Sequence, residues 1–183
     1  MGKDKALMEF RGELLIQRII RRVSPLAQEC FIISNRPEEF DFLDLPVLTD
    51  ILPGKGALGG LYTALQYASQ RYVAVIACDM PFVAPTLLEA QLTLIEKSKA
   101  DVVVPKSPDG FEPFHSIYRR ETCLPAVLSA LEAGQRKMIS WFSSVNVRFM
   151  ETEEVSKYDS NYSAFVNLNT LDEFHSAEEL VDP

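Results

Sequence analysis

The stretch Tyr72–Phe82, with the sequence YVAVIACDMPF, indicates the fold more clearly than any other part of this chain. Up to Cys78 it is apolar without a break, as in a central parallel strand of an α/β sheet. Asp79 follows at once, and ligands of such sheets bind beyond the carboxyl ends of the strands. The stretch therefore predicts a strand that brings Asp79 to a cleft, where a carboxylate can hold a hard cation together with phosphate oxygens. The alternative is an aspartate that only forms a turn or caps a helix ahead of Pro81.

Segments of strand type and of helix type alternate on both sides of this stretch. Short apolar runs between turn signals predict further strands at Cys30–Ser34, Pro46–Asp50, Asp101–Pro105, Phe114–Arg120, Val145–Glu151 and Ala164–Thr170. Apolar residues at helical spacing predict helices over Leu15–Val23, Leu61–Ala68, Pro85–Lys99, Leu124–Leu131 and Leu171–Leu180. Thr170 and Glu173 have the spacing of a capping box at the start of the last helix. The alternation implies an α/β layer fold with a mostly parallel sheet, in a single domain over residues 1–183.

The bulk composition limits the classes of function. A net charge of −8 argues against a nucleic-acid-binding protein, which normally carries a basic face. It is compatible with a small phosphate-bearing ligand, because a few lysines or a metal ion can reverse the field in one cleft. The N-terminus has no apolar signal region and the longest apolar run is too short to cross a bilayer, so we expect a cytoplasmic protein. The three cysteines, Cys30, Cys78 and Cys123, are expected to be reduced and to lie in the core.

Two more polar residues lie at the ends of predicted strands. Asn35 follows the strand that ends at Ser34, and Asp50 ends the strand that begins at Pro46. Both types are also common turn formers, so ligand contact and a plain turn remain open for each. The segment Pro53–Gly60 (PGKGALGG) then precedes a helix whose first amides could receive an anion. It is not a Walker A loop, because no G-K-[ST] occurs, and a flexible surface loop explains it equally well.

Lys5 and the pair Asn167 and Asn169 are the remaining candidates. Lys5 lies in a polar turn just before a helix, where its ammonium could neutralise a phosphate, although exposed lysines near a terminus usually have no such role. Asn167 and Asn169 are two residues apart, so that in a strand both amides point to the same face. Two amides on an otherwise apolar strand suggest a polar ligand, whereas turn chemistry at the strand end would explain at least one of them.

Taken together, these segments resemble the molybdenum cofactor guanylyltransferase family, within the nucleotidyltransferases of α/β fold. The resemblance covers nearly the whole chain and rests on the order and spacing of MGKDKALMEFRGELLI (1–16), NRPEEF (35–40), TDILPGKGALGGLYTAL (49–65), YVAVIACDMPF (72–82), PFHSIYRR (113–120) and AFVNLNTLDE (164–173). It implies a three-layer α/β/α, Rossmann-like nucleotidyltransferase fold with a mostly parallel mixed sheet. Ala57 departs from the pattern, because proline is common there in the glycine-rich loop.

The resemblance also implies a reaction and a set of roles. The enzyme would transfer GMP from GTP to molybdopterin and release pyrophosphate, with Mg²⁺ as cofactor. Lys5 would pair with phosphate, Asn35 and Asp50 would contact the nucleotide, and Asp79 would bind the metal and, with Lys5, be catalytic. Asn167 and Asn169 would line the acceptor side of the cleft. Transient contact with proteins that mature molybdoenzymes is also implied, whereas nucleic acid and membrane are not expected as partners.

Members of the family begin with a strand and a glycine-rich loop ahead of the turn that contains Met1, Gly2, Asp4 and Lys5. We therefore expect a physiological protein that is longer at its N-terminus, and poor stability for the 183-residue chain. A native N-terminal peptide that begins at Met1, or a sharp melt near that of a full-length relative, would contradict these expectations. The alternatives are a related enzyme that uses CTP or a sugar-phosphate acceptor, and an inactive truncated remnant.

Overall fold

The fold, seen in a computed structural model that describes residues 4 to 179, alternates strands with helices as the sequence predicts. Its strands are β1 (Glu9–Phe10), β2 (Glu13–Leu14), β3 (Ile32–Ile33), β4 (Val47–Leu48), β5 (Tyr72–Ile76), β6 (Val102–Ser107), β7 (Gly110–Phe111), β8 (His115–Arg119) and β9 (Val147–Met150). Its α-helices are α1 (Leu15–Val23), α2 (Gly56–Tyr67), α3 (Pro85–Ser98), α4 (Arg120–Glu132), α5 (Thr152–Val155) and α6 (Leu171–Glu178). None of the helices in this part of the chain is long and apolar enough to cross a membrane.

The main sheet is mixed, and its hydrogen-bonded neighbours follow the order β5-β8-β6-β7. β9 also pairs with β6. β5 and β6 both pair with β8 in antiparallel fashion, and β9 is parallel to β6. Three of these strands, β5, β6 and β9, therefore run in one direction, and β8 runs against them. The predicted mixed α/β sheet is confirmed, but the neighbour of β5 is antiparallel. β5 also lies at the end of the strand order in the described residues, and of its five residues only Val73 is buried. The central parallel strand that its uniformly apolar run predicted is therefore wrong.

A separate parallel pair is formed by β3 and β4, with Ile32 opposite Val47 and Ile33 opposite Leu48. Parallel strands end on the same side, so the residues that follow them meet there. Asn35 lies two residues beyond β3 and Asp50 two residues beyond β4. The pair therefore sets two of the candidate residues side by side.

Helices cover both faces of the main sheet. Val102 and Val104 of β6 pack in one cluster with residues of α2 and α4, which include Leu61, Leu65 and Val127. Val103, between them, packs on the opposite face in a second cluster with residues of α3, which include Leu87 and Ile95. Because side chains alternate along a strand, three consecutive valines supply both faces. The three-layer α/β/α arrangement is confirmed.

One segment differs from the sequence-based expectation, and the helix after it agrees. Ala164–Thr170 is not a strand: Ser163–Phe165 forms a 3₁₀ turn, and Leu168 N–H then donates to Asp79 O at 2.9 Å. A single backbone bond of this kind does not make a ladder. The capping box is confirmed, since Glu173 N–H donates to Thr170 Oγ1 at 3.2 Å and Thr170 N–H to Glu173 Oε2 at 2.9 Å. Helix α6 ends at Glu178, and Leu180 lies outside the described residues.

The cysteines also differ from expectation. Cys123 is buried, but Cys30 is half-buried and Cys78 is exposed. The apolar run that ends at Cys78 predicts burial for all its members, whereas Ala74 is exposed within β5 itself, and Cys78 lies two residues beyond the end of the strand at Ile76.

Candidate active site

The loop that leaves β5 is joined to the segment Val166–Asn169 by the bond from Leu168 N–H to Asp79 O. Leu168 is fully buried, so its side chain anchors this segment in the core. Asn167 and Asn169, on either side of it, are thereby held next to the carboxyl end of β5. The arrangement brings three of the candidate residues to one place, although the segment is not a strand.

Lys5 completes this group. Its ammonium donates a hydrogen bond to Asn169 Oδ1, across 164 positions of sequence. The 3₁₀ turn Lys5–Leu7 that carries it is capped by Asp4, whose Oδ1 accepts from Ala6 N–H at 3.1 Å. Gly2 and Lys3, which belong to the same predicted turn, lie outside the described residues.

Asp79 is half-buried, and that burial raises the pKa of its carboxyl above the usual range. A hydrogen bond from its own backbone N–H and the positive charge of Lys5 act in the opposite direction. Lys5 is therefore close enough to Asp79 to influence its charge, and partial desolvation still outweighs that influence. A further cation would strongly stabilise the charged form of a carboxylate that is partly desolvated in this way.

The donor set around Asp79 decides which metal could fit. In residues 4–179, no group of three or more His, Cys, Asp or Glu side chains converges as a metal cage would require. Mg²⁺ is commonly held by one or two carboxylates, with substrate phosphates and waters completing its shell. Asp79 alone, at the end of a strand and beside a lysine, fits that mode of binding and does not fit a structural metal site.

Asn35 and Asp50 form a second polar group, as the ends of β3 and β4 require. Asn35 Nδ2 donates to Asp50 Oδ2 at 3.0 Å, and Asp50 N–H donates back to Asn35 Oδ1 at 3.3 Å. Thr63 Oγ1 donates to the other carboxylate oxygen at 3.4 Å, from helix α2. The two side chains thus orient each other at the mouth of the glycine-rich loop.

The glycine-rich loop turns sharply before α2. Gly54 and Gly56 have left-handed backbone angles, with φ of +73° and +62°, which only glycine adopts without strain. Helix α2 begins at Gly56, and no side chain among the described residues caps it. Its first N–H groups therefore lack the usual protein partner and could receive an anion, as the sequence suggested.

Arg36, which was not among the predicted site residues, connects the two groups. Its Nη2 lies 2.9 Å from Asp4 Oδ2, and its Nη1 lies 2.7 Å from Glu39 Oε1. Asp4 adjoins Lys5 and Arg36 adjoins Asn35, so this ion pair ties the two candidate groups together. No local pattern could reveal it, because the partners are 32 positions apart in the sequence.

Two arginines of α1 support the loop that follows Asp79. Arg18 Nε donates to Pro81 O at 3.0 Å, and Arg22 Nε donates to Val83 O at 2.7 Å. Arg18 is only 4% exposed and also lies over the ring of Phe10. These contacts hold the loop between β5 and α3 in place, and the only local signal for them is a pair of basic residues on an amphipathic helix.

The chain is similar to known proteins in sequence and in structure. The family model of the MobA-like NTP transferase domain matches residues 1–147. A probable molybdenum cofactor guanylyltransferase of Pelotomaculum thermopropionicum is 30% identical over 182 residues, which cover 100% of this chain and 87% of the relative. One of Peptoclostridium acidaminophilum is 29% identical over 185 residues, which cover 98% of this chain and 83% of the relative.

Solved structures give a consistent result. Molybdopterin-guanine dinucleotide biosynthesis protein A of Archaeoglobus fulgidus superposes with a TM-score of 0.84 at 27% identity, over 97% of this chain and 90% of that one. A 2-C-methyl-D-erythritol 4-phosphate cytidylyltransferase of Thermus thermophilus superposes with a TM-score of 0.68 at 14% identity, over 95% and 92%, which shows the shared fold alone. The chain belongs to the family of MobA-like NTP transferase domains and is a nucleotidyltransferase.

Proposed function

We propose that this chain transfers GMP from GTP to molybdopterin, releases pyrophosphate and forms the guanine dinucleotide form of the cofactor. The relatives named as molybdenum cofactor guanylyltransferases support the choice of substrates. The observation that carries the proposal is the position of Lys5, which is bonded to Asn169 beside Asp79 at the end of β5. A cation and a partly buried carboxylate at that edge suit the joining of two phosphate-bearing molecules.

In the proposed reaction, a terminal phosphate oxygen of molybdopterin attacks the α-phosphorus of GTP. A new P–O bond forms, the bond from the α-phosphorus to the bridging oxygen breaks, and its electron pair leaves with pyrophosphate. Both reactants are anions, so the protein has to neutralise charge and hold the reacting atoms in line. We assign the first task in part to Lys5, which would pair with phosphate.

Asp79 is the residue that would hold Mg²⁺, and the ion, when bound, supplies positive charge at the phosphates. Asn35 and Asp50 would contact the nucleotide, since their amide and carboxylate groups lie together and offer acceptors for its O–H and N–H groups. Asn167 and Asn169 would contact the acceptor. Asn169 would thus face molybdopterin while it holds Lys5 in place.

The test is a transfer assay with the purified chain, MgCl₂, molybdopterin and either GTP or CTP. We expect pyrophosphate release and a guanine dinucleotide product, identified by mass spectrometry, with GTP. A cytosine product at a higher rate than the guanine product would contradict the nucleotide assignment. Pyrophosphate release that does not depend on molybdopterin would contradict the acceptor assignment.

A further inference from the structure

A cavity of about 290 Å³ opens next to Asn167, between the hairpin of β6 and β7 and the segment that follows α5. The residues of its lining that bear on the argument are Ser107, Asp109, Glu112, Tyr162, Phe165 and Asn167. Small-molecule pockets usually measure about 300–1,000 Å³, so this one is large enough for a small ring system and too small for a dinucleotide. The reaction proposed above leaves its two carboxylates without a role.

Glu112 is the most enclosed acidic group of the cavity. Ser107 Oγ donates to its Oε1 at 2.7 Å, and no residue between 4 and 179 donates a hydrogen bond to its Oε2. Partial burial raises the pKa of Glu112, and the nearby carboxylate of Asp109 adds to that effect. Glu112 is half-buried and thus presents to the cavity an acceptor oxygen that lacks a protein donor.

The charge of the cavity restricts its ligand. None of the described lining residues is basic, and two of them are carboxylates, so a phosphate would be repelled. Groups that donate N–H bonds suit this lining. Phe165, which is 6% exposed, and Tyr162 add aromatic surface, and Tyr162 O–H is already used in a 3.2 Å bond to Thr152 O. A planar, donor-rich heterocycle matches both properties.

The cavity lies beside the site proposed for phosphate. Asn167 lines the cavity and Asn169 holds Lys5, and residues two apart are separated by at most about 7 Å of backbone. The acidic cavity and the ammonium of Lys5 thus both contact one short segment of the chain. A molecule with a donor-rich ring at one end and a phosphate at the other could use both.

We propose that this cavity binds the ring of the acceptor through a 2-amino-4-oxopyrimidine edge, and that Glu112 is the specificity-determining residue that accepts its N–H bonds. The inference rests on the proposed function, which supplies a pterin that bears a phosphate as the acceptor. The guanine of GTP has the same edge, so an experiment must distinguish the two sources. We assign the edge to the pterin because Asn167, which lines the cavity, is a residue proposed for the acceptor.

The first test compares two fluorescent probes that differ at the 2-position. 6-(Hydroxymethyl)pterin monophosphate carries a 2-amino donor there, and the matching lumazine monophosphate carries a 2-oxo acceptor. The wild-type chain should bind the pterin probe roughly tenfold or more tightly, because the Glu112 carboxylate accepts from the 2-amino group but meets a second acceptor in the 2-oxo group. Glu112→Gln should abolish or reverse this preference, since its amide nitrogen donates to the 2-oxo group.

Two further variants make the result specific. Glu112→Asp keeps the carboxylate and should keep the preference for the pterin probe with weaker binding. Asp109→Asn should keep it as well, because Asp109 is exposed and is the weaker candidate. The assignment is overturned if the wild-type chain shows no preference, if Glu112→Gln retains it, or if Asp109→Asn is the variant that abolishes it.

The second test locates the edge on the nucleotide or on the acceptor. ITP lacks the 2-amino group of GTP, so the ratio of GTP to ITP binding reports recognition of that group on the nucleotide. Glu112→Gln should leave this ratio unchanged, and a fall in the ratio would overturn the assignment to the acceptor. Absence of GTP binding and of product in the wild-type chain would instead refute the proposed function, while the probe preference still tests Glu112.

Discussion

The two candidate aspartates, Asp79 and Asp50, have unequal surroundings. Asp79 is half-buried, is bonded through its carbonyl to Leu168 N–H, and has Lys5 nearby. Asp50 lies at the other polar group and is already paired with Asn35 and Thr63. Of these two aspartates, Asp79 is therefore the better candidate ligand for a cation.

Asp79→Asn should lower kcat/KM for guanylyl transfer roughly 100-fold or more, because the amide keeps the size and removes the charge that balances Mg²⁺. Binding of GTP without Mg²⁺ should change far less. Steady-state kinetics at several Mg²⁺ concentrations, with calorimetry for binding, measure both. Asp41→Asn, at an exposed turn, is the matched control. Full activity of Asp79→Asn at ordinary Mg²⁺, with loss of activity in Asp50→Asn, would contradict the assignment of the metal to Asp79.

Lys5→Ala should weaken GTP binding roughly tenfold, because a charge-assisted contact with phosphate is lost. Lys137→Ala removes an exposed lysine far along the chain and should leave the affinity unchanged. Titration calorimetry with GTP measures both variants. Equal affinities for wild type and Lys5→Ala would show that Lys5 serves only to hold Asn169.

For single residues, the sequence predicted which side chains belong to the candidate site better than it predicted their contacts. Asp79, Asn35 and Asp50 were singled out because they lie at the ends of strands, and the structure pairs Asn35 with Asp50. The bond from Lys5 to Asn169 and the ion pair of Arg36 with Asp4 could not be predicted, since they join positions far apart in sequence. Long-range pairing depends on the path of the chain, which no local pattern contains.

Elements hold the site through contacts that are not themselves part of it. Helix α1 donates from Arg18 and Arg22 to the carbonyls of Pro81 and Val83, and so fixes the start of the chain between β5 and α3. Arg18 also bonds Glu13 Oε1 at 3.2 Å, and Arg21 bonds the same oxygen at 2.7 Å. The two arginines share a partner but differ in burial.

Arg18→Met should lower the free energy of unfolding by about 1–3 kcal/mol, because it leaves the buried Pro81 carbonyl without that donor. Arg21→Met is the matched control, on the same helix and with the same carboxylate partner. The side chain of Arg21 is 59% exposed, so its loss should cost less than about 1 kcal/mol. Urea denaturation of both variants provides the comparison. Equal losses would mean that the bond to Pro81 O contributes nothing.

Strand β8 brings a buried histidine against α3. His115 Nε2 accepts from Ala84 N–H at 3.2 Å, and His115 O accepts from Gln91 Nε2 at 2.9 Å. Burial lowers the pKa of His115 from 6.5 to about 4. Between pH 6.5 and about pH 4, the unfolded state therefore binds a proton at this histidine and the folded state does not.

Because the folded pKa is lowered, the stabilisation is complete above pH 6.5 and is lost as the pH falls towards 4. The loss should reach about 3 kcal/mol at 1.36 kcal/mol per pKa unit. Unfolding free energies measured from pH 7 to pH 4 test this. His115→Asn, which retains an acceptor but does not titrate, should start lower and show a flatter profile. A wild-type profile as flat as that of the variant would contradict it.

The whole molecule should be stabilised by its ligands. A ligand at 100 times its dissociation constant adds about 2.7 kcal/mol if it binds only the folded state. For a chain of this size that raises Tm by roughly 5–10 °C. We expect such a shift with GTP and Mg²⁺, and a smaller one with CTP and Mg²⁺, in a thermal melt of the 183-residue chain. A larger shift with CTP would contradict guanine selection.

The fold as a whole followed from the alternation of strand and helix patterns, since periodicity is local and survives in the sequence. Most predicted elements are present, within a few residues at their ends. The orientation of β8 and the fate of Ala164–Thr170 were not predictable. Both depend on which backbone groups find partners in space, and the segment around Leu168 finds one bond and not a ladder.

Because β8 runs antiparallel to β5 and β6, the loops at one edge of the sheet come from different parts of the chain and could change separately in evolution. Residues that precede β8 arrive at the same edge where β5 and β6 leave the sheet, since Ile76 lies opposite His115. One rim is thus shared by the exits of two strands and the entrance of a third. The connection from Ser107 to His115 is short and lies far along the chain from β3 and β4. Changes of its length or composition would alter one half of the rim and leave the half at Asn35 and Asp50 intact, so the two substrates could be re-specified separately.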